Sequence, residues 1–161
     1  MKKIRLLKRS TAIEVISALL ILLFLYTALS KAVEFSTFRI SLLESPLIGR
    51  GHLPREWAYF IGWSLISVEF LASMLLFFPK TRLIGLYTSF VLMIIFTFYI
   101  GYIVVFMGRD VPCSCGGVIA YLNWPQHLLF NIFFTALAGA GIWLQRKERK
   151  IPDVKPGGLF A

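Results

Sequence analysis

Four stretches of this chain are apolar over roughly 20 residues, the length a helix needs to cross a hydrocarbon core at 1.5 Å per residue. They run from about Thr11 to Ser30, Trp57 to Phe78, Leu83 to Met107 and Pro125 to Leu144. In hydrocarbon no water is present to bond backbone N–H and C=O groups, so each stretch must be a helix that satisfies its own backbone. The first carries one charge, Glu14, near its start, the second carries Glu69 near its middle, and the third carries none. The fourth opens on Trp124-Pro125 and is followed by Arg146, Lys147 and Arg149. That is the pattern of a helix with interfacial ends. The fold class expected is all-α, an integral membrane four-helix bundle.

Composition excludes a soluble domain. Of 161 residues, 58% are hydrophobic and only 16% charged, too few charges to cover a water-exposed surface. A net charge of +9 raises the question of nucleic acid, but no basic helix or aromatic–basic interleaving accompanies it. The expected partner of this surface is the lipid bilayer, not nucleic acid. With both termini cytoplasmic, twelve Lys and Arg lie inside and five (Lys31, Arg39, Arg50, Arg55, Arg109) lie outside. The positive-inside rule selects that orientation. Residues 1–10 then form a basic cytoplasmic N-terminus, 11–145 the four-span membrane domain, and 146–161 a polar cytoplasmic tail. A cleaved signal peptide is the competing reading of the N-terminus, with Met1–Arg9 as its basic region and Ala28-Leu29-Ser30 as its processing site. The fourth helix needed to close a bundle favours a retained span. The turn around Lys80–Arg82 is short enough only for an antiparallel hairpin. The segment Ala32–Glu56, with Phe35, Phe38, Ile40, Leu42 and Leu43, is expected to hold a short amphipathic helix at the exported interface before Pro46, Gly49, Gly51 and Pro54.

The only cysteines are Cys113 and Cys115, in Pro112-Cys113-Ser114-Cys115-Gly116-Gly117. By the charge count this loop is exported, where disulfides persist. A bond between residues two apart needs a tight bend, which Pro112 and the two glycines permit. A strained ring of that kind is of the reducible, exchange-active sort. Two other readings stay open: an unreactive turn or local clip, and a soft-metal site in which His127 or Met107 joins the two thiolates.

The fourth span places His127, Asn131 and Thr135 four apart, on one helix face. His127 lies in the first turn, on the side of the membrane where the cysteines are expected. A helix start there favours a thiolate and a neutral imidazole, which suits a general base for thiol exchange, with Asn131 orienting the ring. The alternative is that His127 and Asn131 only hydrogen-bond between helices. Glu69 near mid-membrane must face the interior, be protonated or find a cation. Lys31, at the end of the first span, is placed to snorkel inward to it. The pair then either locks two helices together or forms a proton relay or polar cavity. His52 and Glu14 are expected to be solvated.

Four helices, a Lys ending the first, a Glu inside the second and the run Pro112-Cys113-Ser114-Cys115-Gly116-Gly117 resemble the MauE family of methylamine utilisation membrane proteins, within the wider DoxX-like group. The most specific stretch is Tyr99–Phe134, including Trp124-Pro125-Gln126-His127-Leu128-Leu129-Phe130-Asn131, and the likeness covers roughly residues 10–145. The resemblance implies a bacterial inner-membrane protein that works beside a periplasmic thioredoxin-like partner. The expected function is thiol–disulfide exchange or maturation through Cys113 and Cys115, with His127 and Asn131 in support and Lys31–Glu69 as a structural pair. No cofactor is evident; a quinone is the one candidate, as re-oxidant of the pair. The alternative function is a non-catalytic membrane subunit or assembly factor. A soft-metal or solute carrier is a further alternative, for which no broken mid-membrane helix is visible.

The charge asymmetry makes a direct prediction. After mild reduction of intact cells, a membrane-impermeant thiol reagent labels Cys113 and Cys115. Labelling confined to inside-out vesicles reverses the orientation.

Overall fold

A computed structural model of the chain describes residues 2–45, 48, 54–106 and 124–149. Among these residues the secondary structure is helical throughout: α1 Lys2–Val33, α2 Phe35–Glu44, α3 Trp57–Phe77, α4 Arg82–Phe106 and α5 Trp124–Arg149. Four of the five are long and apolar enough to cross a membrane. α1 packs on α3 and α5, and α4 on α5 and α3, which closes a ring of four helices. Two ends can be distinguished. The elbow end is where α1 leads into α2, and the hairpin end is where α3 turns into α4.

Each long helix buries a seam at spacings of three and four, the repeat of a helix side that faces neighbours. On α1 the seam is Ile13, Ile16, Leu20, Phe24, Ala28 and Lys31. On α3 it is Ala58, Gly62, Ile66, Glu69, Ala72 and Leu76. The opposite faces are apolar and uncovered: Phe98 is 75% exposed, and Leu22, Phe60, Val105 and Leu129 are similarly bare. An apolar belt of this extent suits lipid and not water. Most of the continuous apolar core lies toward the hairpin end, formed by Ile16, Leu20, Phe24, Leu76, Leu86, Met93, Ala138 and Ile142.

Lipid offers little hydrophobic drive to bring helices together, so close approach over small residues has to supply dispersion contact. Gly85 shows the limit of this. A Cβ there would lie 2.7 Å from the backbone N of Leu76 and 2.9 Å from the carbonyl carbon of Leu75. The hairpin is tied as well by Thr81, whose hydroxyl donates to the Leu75 carbonyl at 2.9 Å and so satisfies one of the open carbonyls ending α3.

The helix ends differ from those the hydropathy suggests. α1 extends back to Lys2 and on to Val33, and α5 continues to Arg149, past the apolar limit at Leu144. Lys and Arg are good helix formers, and at a membrane surface they prolong a helix that hydrophobicity alone would end. The short helix expected in Ala32–Glu56 is present as α2, and its Phe38 is buried.

Gly85→Ala puts a methyl group against backbone that cannot give way, and it should lower stability by about 1–3 kcal/mol. At Gly101 the nearest atom to an added Cβ is 3.9 Å away, so Gly101→Ala should be tolerated. Thermal unfolding of both variants in one detergent checks the contrast.

Candidate functional site

Lys31 and Glu69 occupy the inward seams of α1 and α3, so both side chains enter the bundle. Lys31 is 6% exposed and Glu69 0%. The Lys31 Nζ donates to Glu69 Oε1 at 2.6 Å. Thr27, one turn earlier on α1, also borders the carboxylate. The ammonium faces two aromatic rings, Phe38 of α2 at 5.8 Å and Phe96 of α4 at 5.9 Å from the ring centroids. Four helices therefore meet around one cation. Glu69 Oε2, by contrast, is buried and has no hydrogen-bond partner.

α2 is held over this site by Phe35. Its ring stacks on Trp63 at 4.8 Å and meets the edge of Tyr59 at 5.5 Å. It can lie so close because Gly62 leaves a notch in α3: a Cβ at Gly62 would come within 3.0 Å of the Phe35 ring. With Phe35 seated, Phe38 falls over Lys31 one turn later.

A second polar line runs along α5. His127 and Asn131 are both buried, at 3% and 4% exposure. Asn131 Nδ2 donates to the main-chain carbonyl of His127 at 2.9 Å, and Thr135 Oγ1 donates to the carbonyl of Asn131 at 2.7 Å. Thr135 Oγ1 lies 3.2 Å from Thr97 Oγ1 on α4, which in turn donates to the Met93 carbonyl at 2.6 Å. The ladder therefore crosses from α5 to α4 by way of two hydroxyls. The Asn131 amide thus braces the peptide carbonyl of His127.

Cys113, Cys115 and Met107 lie outside the described residues. Among the described residues no group of three His, Cys, Asp or Glu is gathered as metal ligands require. The structure unites Lys31 with Glu69, and His127, Asn131 and Thr135 with each other. Phe96, Thr27 and Thr97 are participants the sequence did not single out, and it points to Phe38 only as part of the short amphipathic helix. Aromatic and threonine residues are common in apolar spans, so only the fold reveals their roles.

With this geometry in place, comparison with known proteins is informative. A family model described as "Methylamine utilisation protein MauE" matches residues 9–144. The chain belongs to the MauE family. The match spans all four long helices, and its limits fall within a residue of the 10–145 expected from the sequence. In this MauE-family chain it takes in the Lys31–Glu69 pair, both cysteines and the α5 ladder. No curated protein and no solved structure gives a match.

The pair's energetics are testable by mutation. Glu69→Ala removes the counter-charge of Lys31, which costs at most about 3–5 kcal/mol, the figure for an ammonium that stays buried and unpaired. Glu69→Gln, which still accepts a hydrogen bond, should lose less. The double variant Lys31→Met with Glu69→Leu should recover most of the loss, since an apolar pair can replace a buried ionic one. Melting in detergent reads all three; equal melting of wild type and Glu69→Ala removes the interaction.

Proposed function

We propose that this MauE-family protein is an inner-membrane thiol–disulfide redox or maturation protein, in a membrane function related to methylamine utilisation. Cys113 and Cys115 form its exchanging couple, and an exported thioredoxin-like protein is its partner. The observation that carries the reading is the Cys-Ser-Cys run in the connection just before a buried histidine in the first turn of α5. The α5 ladder supports it by fixing the backbone of that turn, which constrains where His127 stands.

In this reading the partner's thiolate attacks the Cys113–Cys115 disulfide and forms a mixed disulfide. The partner's second thiolate then attacks the partner's own sulfur in that bond, expelling the cysteine of this chain, so the partner leaves as a disulfide and two electrons and two protons pass to Cys113 and Cys115. His127, in the first turn of α5, accepts the proton of the attacking thiol. A membrane quinone is the chemical class that takes the electrons onward, since a single pair of cysteines leaves no second dithiol in the chain. The Lys31–Glu69 pair holds the bundle that presents the loop.

The alternative, a non-catalytic membrane subunit or assembly factor, draws on the same framework: a rigid bundle with an aromatic-anchored interfacial helix is also a platform for a partner. One experiment separates the two. Cys113→Ser and Cys115→Ser variants are isolated without reductant from cells and run on non-reducing gels. One of them should carry an adduct that dithiothreitol releases, and the double variant none. His127→Ala should slow exchange roughly 10²-fold. Absence of any adduct, with function intact after loss of both thiols, favours the subunit reading.

A further inference from the structure

The Lys31–Glu69 pair has two features that a purely structural ion pair does not need. The first is the unused carboxylate oxygen. Oε1 takes the ammonium, while Oε2 has no partner and no solvent-accessible surface. A buried acceptor is ordinarily matched by an N–H, an O–H or an enclosed water. Glu69 is thus held at Oε1 by the ammonium, with the Thr27 hydroxyl bordering the carboxylate, and its second oxygen has no matching donor among the described residues.

The second feature is the placing of the lysine. α1 ends at Val33, two residues beyond Lys31, and the chain turns into α2 at Glu34. The four-carbon side chain reaches into the bundle from the very end of its helix, so rotation about its own bonds carries Nζ back to the elbow end. Two rings flank the ammonium, Phe38 and Phe96. Their faces attract the ammonium and take no directed hydrogen bond from it comparable to an oxygen's, so they guide it without fixing it.

We infer that Lys31 and Glu69 form a proton-binding site, loaded from the elbow end with Lys31 as carrier. The ammonium passes its proton along the 2.6 Å hydrogen bond, and ammonium plus carboxylate become amine plus carboxylic acid. The neutral amine, no longer held by charge, swings out past Phe38 and takes a proton from water. The net change is one proton moved from water at that end to Glu69; no electron moves and no bond between heavy atoms forms or breaks. This site stands apart from the thiol chemistry proposed above, and a chain lacking both cysteines carries it equally.

Among the described residues, few other titratable groups surround the pair. α2 presents Phe38 and α4 presents Phe96, neither ionisable, and Thr27 on α1 is a neutral hydroxyl. Glu34 and Arg39, near the elbow, are exposed. Among the described residues, His127 of α5 is the other buried titratable residue toward this end.

Infrared difference spectroscopy on the full chain in liposomes tests the site. Between about pH 9 and pH 5.5, above the range near ~4.3 where exposed glutamates protonate, a carboxylic-acid C=O band should grow in. Carbon-13 labelling of glutamate should shift it, which assigns the band in the wild-type chain even if variants fold poorly. Glu69→Gln should abolish it, and His127→Gln and the Cys113→Ser/Cys115→Ser chain should keep it. Lys31→Met, with no ammonium to hold the carboxylate, should show the acid band at every pH in the window. A wild-type spectrum without the band, or with one that does not change across the window, overturns the site: the pair is then a fixed tie. So does a band that survives in Glu69→Gln.

Discussion

An ammonium and a carboxylate in contact inside an apolar bundle constrain everything packed around them. Neither charge is tolerable alone in hydrocarbon, and each becomes so only where the other stands. This fixes the register of α1 against α3 far more tightly than aliphatic packing does, because sliding by one turn separates the charges by over 5 Å. The seams follow from that register. Ala28, Phe24 and Leu20 continue α1 inward from Lys31, and Ala72 and Leu76 continue α3 from Glu69. Toward the hairpin the same two faces become wholly aliphatic, and there the main core forms.

The other half of the ring is joined differently. α4 and α5 share no ion pair among the described residues; they meet through the Thr97–Thr135 hydroxyl contact and through close packing at Gly139 and Gly141. A hydroxyl that donates to its own helix can still face a neighbour, so this contact costs no unsatisfied backbone group. The two halves thus combine one strong, specific tie with one set of weak, short-range ones. α2 adds aromatic packing on top of the strong tie, with Phe35 lodged against Gly62.

How much of this the sequence discloses depends on how rare each signal is. The spans are legible because uninterrupted apolar runs of helix length are uncommon in ordinary chains. Lys31 and Glu69 stand out because charges in or beside such runs are few, and their positions leave little choice of partner. The i, i+4 spacing of His127, Asn131 and Thr135 likewise shows a shared face, although it does not reveal that the Asn131 amide bonds a carbonyl of its own helix. Thr97 sits in a span without periodic polar signal, so only its position across from Thr135 gives it meaning. The Phe35 notch needs the tertiary placement of Gly62, a residue that hydropathy ignores. The ends of α1 and α5 escaped because the last apolar residue is a poor guide to where a basic helix stops.

The ion pair spans 38 positions of sequence, and translation reveals its halves in a fixed order. Lys31 leaves the ribosome with α1, when its partner Glu69 has not yet been made, and α2 must follow first. Until α3 arrives, α1 is a helix with a cation at its margin that can only turn toward water or headgroups. Final seating of the first helix is thus deferred to the synthesis of the third. Biogenesis of this bundle has a built-in order of events, in which an early segment waits at the bilayer surface for its later complement.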